Sequence, residues 1–505
     1  MDTNLYFYSE CHKKAAAAMA AMAAESLVPP TVSSAHLDSD DLLYGIVGRL
    51  DFASCLAAAG ACSQLRRAVT DILREHWVPT EIVQVTPGLS SYLTFVAASS
   101  HNAFYVSDNH AKCVLHVGWQ TSGSGSHRAS QTTLAHAPDR VRPKIMAQPS
   151  GIFVAHRGES SSVFVCDVEL CSCTEYEGIA HGSEPMCACA AQPGSPSWTP
   201  PAASVLVPRT EWQPAAGAPK LVYPMGCAYS AAHGGRLFIT DGDLHCVQVF
   251  EIVISEVVIS PSPALPAHGA FAPPPPPPRP AHLFTCGTGP GTADGQMRDP
   301  FGVAVSNGRV YVSDSGNGRI VIFDETDGRF LGTLRDASRR RRSSRPAAVD
   351  AHVPLKLVDP AGVAFTSNGQ LVVAETRGRV RIFTLDSTGL SVMCEAHHYE
   401  MMGDLAGVCV SPPPPAAALR VTRATPASAD RQCNEAGAQD GAESVLIVNA
   451  TKGLVHVLQP ATLATVRNLL KAQSDARRRG AADPSSTRIG EGEHVYIDAM
   501  LSLRE

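Results

Sequence analysis

One pattern recurs along this chain, and a single copy of it is too small to fold alone. Residues 300–334 read "PFGVAVSNGRVYVSDSGNGRIVIFDETDGRFLGTL", where Val303 and Val305, Val310 and Val312, and Ile320 and Ile322 recur at every second position. That period predicts three short strands, each with one apolar face. Asn307-Gly308 and the run Gly316-Asn317-Gly318 separate them, and these residue types accept the positive φ of tight hairpin turns cheaply. A three-stranded meander buries too little apolar surface to persist in water. Other copies must supply the missing contacts.

They are present. "PAGVAFTSNGQLVVAETRGRVRIFTL" starts at Pro360, and "PMGCAYSAAHGGRLFITDGDLHCVQVF" at Pro224 puts Ile239-Thr240-Asp241 where Val312-Ser313-Asp314 stands. Weaker copies start at Leu93, at Pro149 and at Leu405, the last resuming as "SVLIVNATKGLVHVL" from Ser444. The expected fold class is mainly β, about six small antiparallel sheets arranged radially so that only short, protected edges remain. "EIVQV" at 81–85 and "HVYID" at 494–498 lie outside the first and last copies. One of them is expected to close the ring as the outer strand of the blade at the other end of the chain.

The unit at Pro300, with its lead-in "GTGPGTADGQMRD", resembles an NHL repeat, and the copies at Pro360 and Pro224 keep most of that frame. The resemblance implies a six-bladed NHL-type β-propeller over residues 81–505. Pro/Ala-rich insertions interrupt it at about 188–220, 259–281, 336–352 and 411–442. The Asp and Arg of "SDSGNGR" and "AETRGR" stand at fixed places in repeated units, so they are expected to brace turns rather than touch a ligand.

Residues 37–77 follow a different period. Leu42, Leu43, Ile46, Val47 and Leu50 form one helical stripe behind Ser39 and Asp40-Asp41, which suit a helix N-terminus. Further helices are expected through Leu56 and Cys62, and through Leu65, Val69, Ile72 and Leu73. Helical signal is expected only before Pro79. Leu37, Asp41-Leu42-Leu43, Ile46-Val47, Leu50-Asp51, Leu56, Cys62, Leu65-Arg66-Arg67 and Trp77 resemble an F-box, although Asp38 stands where that family has Pro and Leu65 where it has Trp. The resemblance implies a small α-helical domain at 37–78 whose Leu37, Leu42, Leu43, Ile46, Val47 and Leu50 contact a Skp-type adaptor. The alternative is a helical extension that caps the propeller. Residues 1–36 are expected to be a disordered tail, and the alanines of "AAAAMAAMAA" are too weakly hydrophobic for a signal peptide.

Composition narrows the partners. The net charge is −6, and from residue 81 onward 35 Lys/Arg face 38 Asp/Glu, which is not the footprint of a general phosphate binder. No run of 18 or more strongly apolar residues occurs, so no membrane contact is expected. Cys171-x-Cys173 and Cys187-x-Cys189, near Cys166 and His181, have the residue types of a zinc site but one residue between paired cysteines. Reduced thiols, and no metal or other cofactor, are the expectation. "PPPPPP" from Pro273 and "PPPP" from Pro412 read as stiff surface spacers, and "SRRRRSSR" from Ser338 as a solvated loop or a nuclear import signal.

Together the two resemblances imply a non-catalytic substrate-recognition subunit of a cullin-RING ubiquitin ligase. The F-box would dock on the Skp-type adaptor, and the propeller would hold a protein substrate through residues that the sequence does not name. The expected location is the cytoplasm, with the nucleus as a second compartment. Two other readings are a scaffold or single-stranded RNA binder, and a propeller-fold metal-dependent hydrolase or lyase. The enzyme reading lacks a recurring ligand set, because His101, His156, His233 and His245 are scattered over strand ends and turns.

Overall fold

Alternating apolar residues form strands throughout the computed structural model. It describes residues 76–85, 92–119 (without 101), 129–134, 146–177 (without 158 and 159), 208–212, 219–252, 281–336, 354–412 (without 402) and 443–463. Residues 59, 66, 67, 69, 70, 73, 466 and 467 complete the set. These fall into two units: the smaller holds those up to Thr80 and from Gln459 onward, the larger those from Glu81 to Leu458.

The larger unit is six antiparallel sheets, or blades. Blade 1 comprises β2 (Leu93–Ser100), β3 (Ala103–Asp108), β4 (Cys113–Trp119) and β5 (Ala129–Leu134). Blade 2 comprises β6 (Pro149–Arg157), β7 (Ser160–Asp167), β8 (Ser172–Glu177) and β9 (Pro208–Trp212). Blade 3 comprises β10 (Pro224–Ser230), β11 (Arg236–Asp241), β12 (Cys246–Glu251) and β13 (Ala281–Cys286). Blade 4 comprises β14 (Pro300–Ser306), β15 (Arg309–Asp314), β16 (Arg319–Asp324) and β17 (Phe330–Thr333). In blade 5, β19 (Pro360–Phe365), β20 (Leu371–Glu375), β21 (Arg379–Leu385) and β22 (Ser391–Glu400) are joined by the short parallel β18 (Arg335–Asp336). Blade 6 has β23 (Leu405–Ser411), β24 (Ser444–Asn449) and β25 (Leu454–Pro460), with β1 (Trp77–Gln84) as its outer strand. The predicted closure is therefore observed at 81–84, and the Val85 amide adds a bond to the Gly453 carbonyl (3.0 Å). Residues 494–498 lie outside the described residues.

The inner strands form a ring. β2 packs beside β6, β6 beside β10, β10 beside β14, β14 beside β19, β19 beside β23, and β23 beside β2. Between neighbouring sheets lie the apolar clusters that a single meander lacks. Tyr311, Ile320 and Ile322 of blade 4 pack with Val363, Leu371 and Val373 of blade 5, while Phe104 and Val106 of blade 1 pack with Leu446 and Val455 of blade 6. Each fully buried Val, Leu, Ile or Phe there contributes about 1.5–3 kcal/mol.

Hydroxyls and glycines make the joints. Ser313 Oγ accepts from the Gly302 amide (2.6 Å) and donates to the Ala361 carbonyl of the next blade (2.6 Å). Thr240 does the same for Gly226 (2.8 Å) and Phe301 (2.7 Å), and Ser107 for Phe95 (3.0 Å) and Ser150 (2.6 Å). A Cβ at Gly302 would lie 2.4 Å from the Ala361 oxygen, so only glycine lets these backbones approach.

The smaller unit is helical at Ala59, Arg66, Arg67, Val69, Thr70 and Leu73, where Val69 and Leu73 are buried one turn apart and Thr70 Oγ1 donates to the Arg66 carbonyl (2.7 Å). Three expectations are corrected. Trp77, taken to close the helical segment, begins a strand. Helix also occurs after Pro79, at Leu463, Val466 and Arg467, where Leu463, Val466 and Leu470 have helical spacing in the sequence. And β9 lies inside the stretch assigned to the 188–220 insertion.

Candidate recognition face

Every blade turns from its second to its third strand at one face of the ring, where the chain also arrives from the preceding blade. An acidic residue or Asn ends the second strand and ties these two loops together. Asp241 accepts from the amides of Val222 (2.8 Å), Tyr223 (3.1 Å) and Leu244 (3.1 Å), and Asp167 from those of Ala147 (2.7 Å) and Leu170 (3.0 Å). Asp314 accepts from the Arg298 amide (2.6 Å), Asn317 Nδ2 (2.8 Å) and Arg319 Nε (2.6 Å). Arg319 also donates to the carbonyls of Thr292 (2.9 Å) and Gln296 (2.7 Å), clamping the glycine-rich lead-in. Asp314 and Arg319 thus brace turns, as expected from their place in the repeat. Blade 5 varies the device. Glu375 is buried, and Arg381 (3.6 Å) and Arg379 (4.0 Å) stand beyond hydrogen-bond distance, so burial raises its carboxyl pKa.

The centre of the ring holds aromatic rings rather than ligands for an ion. Phe95, at the glycine position of blade 1, stacks on Phe301 of blade 4 with centroids 5.0 Å apart and planes 16° apart. Blades 1 and 4 are opposite in a ring of six, so this contact crosses the axis. The other positions equivalent to Phe301 are Thr94, Ser150, Met225, Ala361 and Ala406. Among the described residues, no group of three or more His, Cys, Asp or Glu is arranged to hold a metal ion. His156 and His233 sit at the hairpin end of the blades and His245 at the opposite face, while His101 lies outside the described residues.

Cys171 and Cys173, whose one-residue spacing argues against zinc, point to different places, Cys171 to the loop face and Cys173 into a core cluster with Cys166 and Cys227. Cys171 lies in the β7–β8 turn with φ 50°, exposed, its thiol donating to the Val222 carbonyl (3.1 Å). Cys173 points into the core, opposite Cys166 across the β7–β8 ladder. The turn breaks the strand alternation that would put Cys171 and Cys173 on one side. Hydrogen bonding to Cys166 and burial push the Cys173 thiol well up. Cys187, Cys189 and His181 lie outside the described residues, as do Leu37, Leu42, Leu43, Ile46, Val47 and Leu50.

The face itself carries apolar groups that sequence reading missed. Of eight exposed large apolar residues among the described ones, Tyr92, Leu170, Val222, Tyr223, Leu244 and Val358 are in its loops; Leu283 and Met393 are on outer strands. Burial, then the Asp404 carboxylate and the Tyr223 phenol, raise the Tyr92 pKa. Charged neighbours pair across blades: Lys112 with Glu169 (3.5 Å) and His245 with Asp299 (3.8 Å). No helix among the described residues is long and apolar enough to cross a membrane.

Residues 297–323, the first three strands of blade 4 and the end of its lead-in, match the family model for the NHL repeat. Among solved structures the chain is similar to a streptogramin B lyase, at 10% identity and TM-score 0.37, over 75% of this chain and 97% of that one. It is similar to the WD40 β-propeller domain of Doa1, at 8% identity and TM-score 0.38, over 76% and 98%. PQQ-bound aldose sugar dehydrogenase from Streptomyces coelicolor gives 13% identity and TM-score 0.36, over 76% and 99%. No curated protein matches the chain. The chain therefore carries an NHL repeat within a six-bladed β-propeller.

Proposed function

We propose that this chain is a non-catalytic protein-recognition module, and that its finer role is substrate recognition in a cullin-RING ubiquitin ligase. One observation carries the first part. The ring's axis is crossed by the Phe95–Phe301 stack, while exposed apolar side chains gather on a loop face built on a rigid scaffold. That arrangement suits a partner docking on the outside rather than a substrate entering the channel. The finer role rests on the F-box resemblance of residues 37–77, through which a Skp-type adaptor and its cullin would be engaged, in the cytoplasm or nucleus.

Co-expression with a Skp-type adaptor tests the finer role. The wild-type chain is expected to recover the adaptor in a pull-down, and Leu42→Asp with Leu43→Asp to lose it. An unpaired carboxylate in an apolar contact costs several kcal/mol, enough to erase a micromolar complex. Limited proteolysis checks that the propeller stays folded. Equal recovery by the mutant, or none by the wild type, overturns the ligase role and leaves the propeller as a scaffold.

A further inference from the structure

The joint between blades 2 and 3 carries thiols at three positions where the equivalent residues of the other blades carry none. One rung from the turn-bracing residue, the second and third strands pair Ser107 with Val114, Thr240 with Val247, Ser313 with Ile320, Ala374 with Val380 and Val448 with Val455. In blade 2 the same rung pairs Cys166 with Cys173. Cys227, on the inner strand of blade 3, stands where the other blades have Val96, Ile152, Val303, Val363 and Val408. The three meet in space. Cys166 and Cys173 lie in one apolar cluster with Leu221, Leu237 and Ile239, and Cys227 packs against it. The Cys173 and Cys227 thiols both donate to the Cys166 sulfur.

Packing does not call for these thiols. The hydroxyl that Cys166 displaces joins neighbouring blades in blades 1, 3 and 4, and here Ser150 Oγ makes the crossing instead, donating to the Pro224 carbonyl (2.7 Å). Valine fills the other two positions around most of the ring. What thiols add is covalent chemistry. Directly opposed residues of antiparallel strands have Cα atoms about 4.5–5.5 Å apart, inside the roughly 4.4–6.8 Å that a disulfide spans. Among the described residues no group of three His, Cys, Asp or Glu is arranged to hold a metal ion, so pairwise sulfur chemistry is what the arrangement supports. We propose that Cys166 and Cys173 are an oxidisable dithiol that a hydroperoxide converts to a disulfide, and that Cys227 is the thiol that exchanges with it. In the oxidation each thiol gives up a proton and an electron, the S–S bond forms, the O–O bond breaks and, with hydrogen peroxide, two waters leave. In the exchange the Cys227 sulfur attacks Cys166, the Cys166–Cys173 bond breaks, and the Cys227 proton passes to Cys173. Cys166 and Cys173 are fully buried, so oxidation waits on opening of the β7–β8 hairpin. The bond then clamps that hairpin beside its turn on the loop face, and exchange moves the clamp to the joint between the two blades.

Peptide mapping of the full chain tests it. A Cys171→Ser background removes the exposed thiol of the turn, and cleavage after glutamate, lysine and arginine then puts Cys166, Cys173 and Cys227 in separate peptides. After treatment with hydrogen peroxide and blocking of the remaining thiols in denaturant, the Cys166 and Cys173 peptides are expected as one linked species that dithiothreitol separates. The melting temperature of the oxidised chain is expected to rise by several degrees. Cys166→Ser restores the hydroxyl of blades 1 and 4 and should abolish that rise. Cys173→Val installs the residue of blades 1, 3, 5 and 6, and should leave Cys166 linked to Cys227. A Cys166 that stays reduced while the exposed Cys394 is oxidised overturns the proposal. So does a rise that persists in Cys166→Ser. Absence of the Cys166–Cys227 link in Cys173→Val overturns the exchange role of Cys227.

Discussion

Blades 4 and 1 follow one template and differ where the template can bend. Both staple their inner strand with a serine, Ser313 or Ser107, and both end the second strand with a buried aspartate. Blade 4 surrounds Asp314 with an amide, Asn317 and Arg319, whereas among the described residues Asp108 receives the amides of Tyr92 (3.3 Å) and Ala111 (2.9 Å), and its Oδ2 has no hydrogen bond. Gly302 becomes Phe95, and Ile322, paired with Tyr311, becomes His116, paired with Tyr105. The serine and aspartate joint is thus the constant requirement. The glycine yields where a bulky side chain can turn into the ring's centre, and there it acquires a packing role.

Removing the aspartates breaks this comparison most sharply. Asp314→Ala strips Arg319 of its carboxylate while the guanidinium stays 15% exposed, so the loss should be about 3–5 kcal/mol. Asp108→Ala deletes two hydrogen bonds and strands no cation, and should cost about 1–3 kcal/mol. Urea denaturation of the two variants measures the difference. Equal costs would mean that Asn317 and Arg319 add nothing to the blade 4 joint.

Truncating the axial stack comes next. Phe95→Ala removes a buried ring and leaves Phe301 without its partner, with an expected cost of about 3 kcal/mol, at the low end for Phe→Ala because Met225 and Phe301 are partly exposed and free to relax. A melting temperature equal to the wild type would show that the ring closes without the stack, and would withdraw one support for a packed axis.

How much of this was legible follows from where each residue faces. The first three strands of each blade were readable because they carry short apolar runs, even in blade 1, which lacks the glycine; both sheet faces pack against neighbouring blades, with Val310 and Val312 in one cluster and Tyr311 in the next. The fourth strands were not, apart from β1, whose "EIVQV" reads as a closing strand. "ASQTTL" in β5 and the alternately exposed Ala281–Cys286 of β13 lie at the periphery, where no neighbour demands apolar residues. The exposed apolar residues of the loop face escaped notice because they are far apart in sequence and look like ordinary core residues until the repeats are in register. Aligning the residue before each inner strand would have picked out Tyr92 and Tyr223. Of the adaptor stripe nothing more is legible in the structure than in the sequence, since its residues lie outside those described.

The smallest effect separates the blades by pH rather than by mutation alone. His116 is buried beside Ser99 (3.0 Å) and lies tilted against the Tyr105 ring (centroids 4.5 Å, planes 39° apart), and burial lowers its pKa to about 4. The unfolded chain therefore binds this proton more readily than the folded one. Stability is full above the unfolded pKa of about 6.5 and falls as pH drops from there toward 4, flattening below. Between pH 7 and pH 5 the loss from this one group is about 2 kcal/mol. His456 in blade 6, also lowered to about 4 by burial, contributes a second slope of the same sign. Replacing His116 by the residue that blade 4 carries, His116→Ile, should remove the His116 share and so flatten the acid limb of a urea midpoint against pH curve by about 2 kcal/mol over that range. An unchanged slope would mean that His116 takes up its proton within the folded blade, and that the blade 1 core opens to water where blade 4 does not.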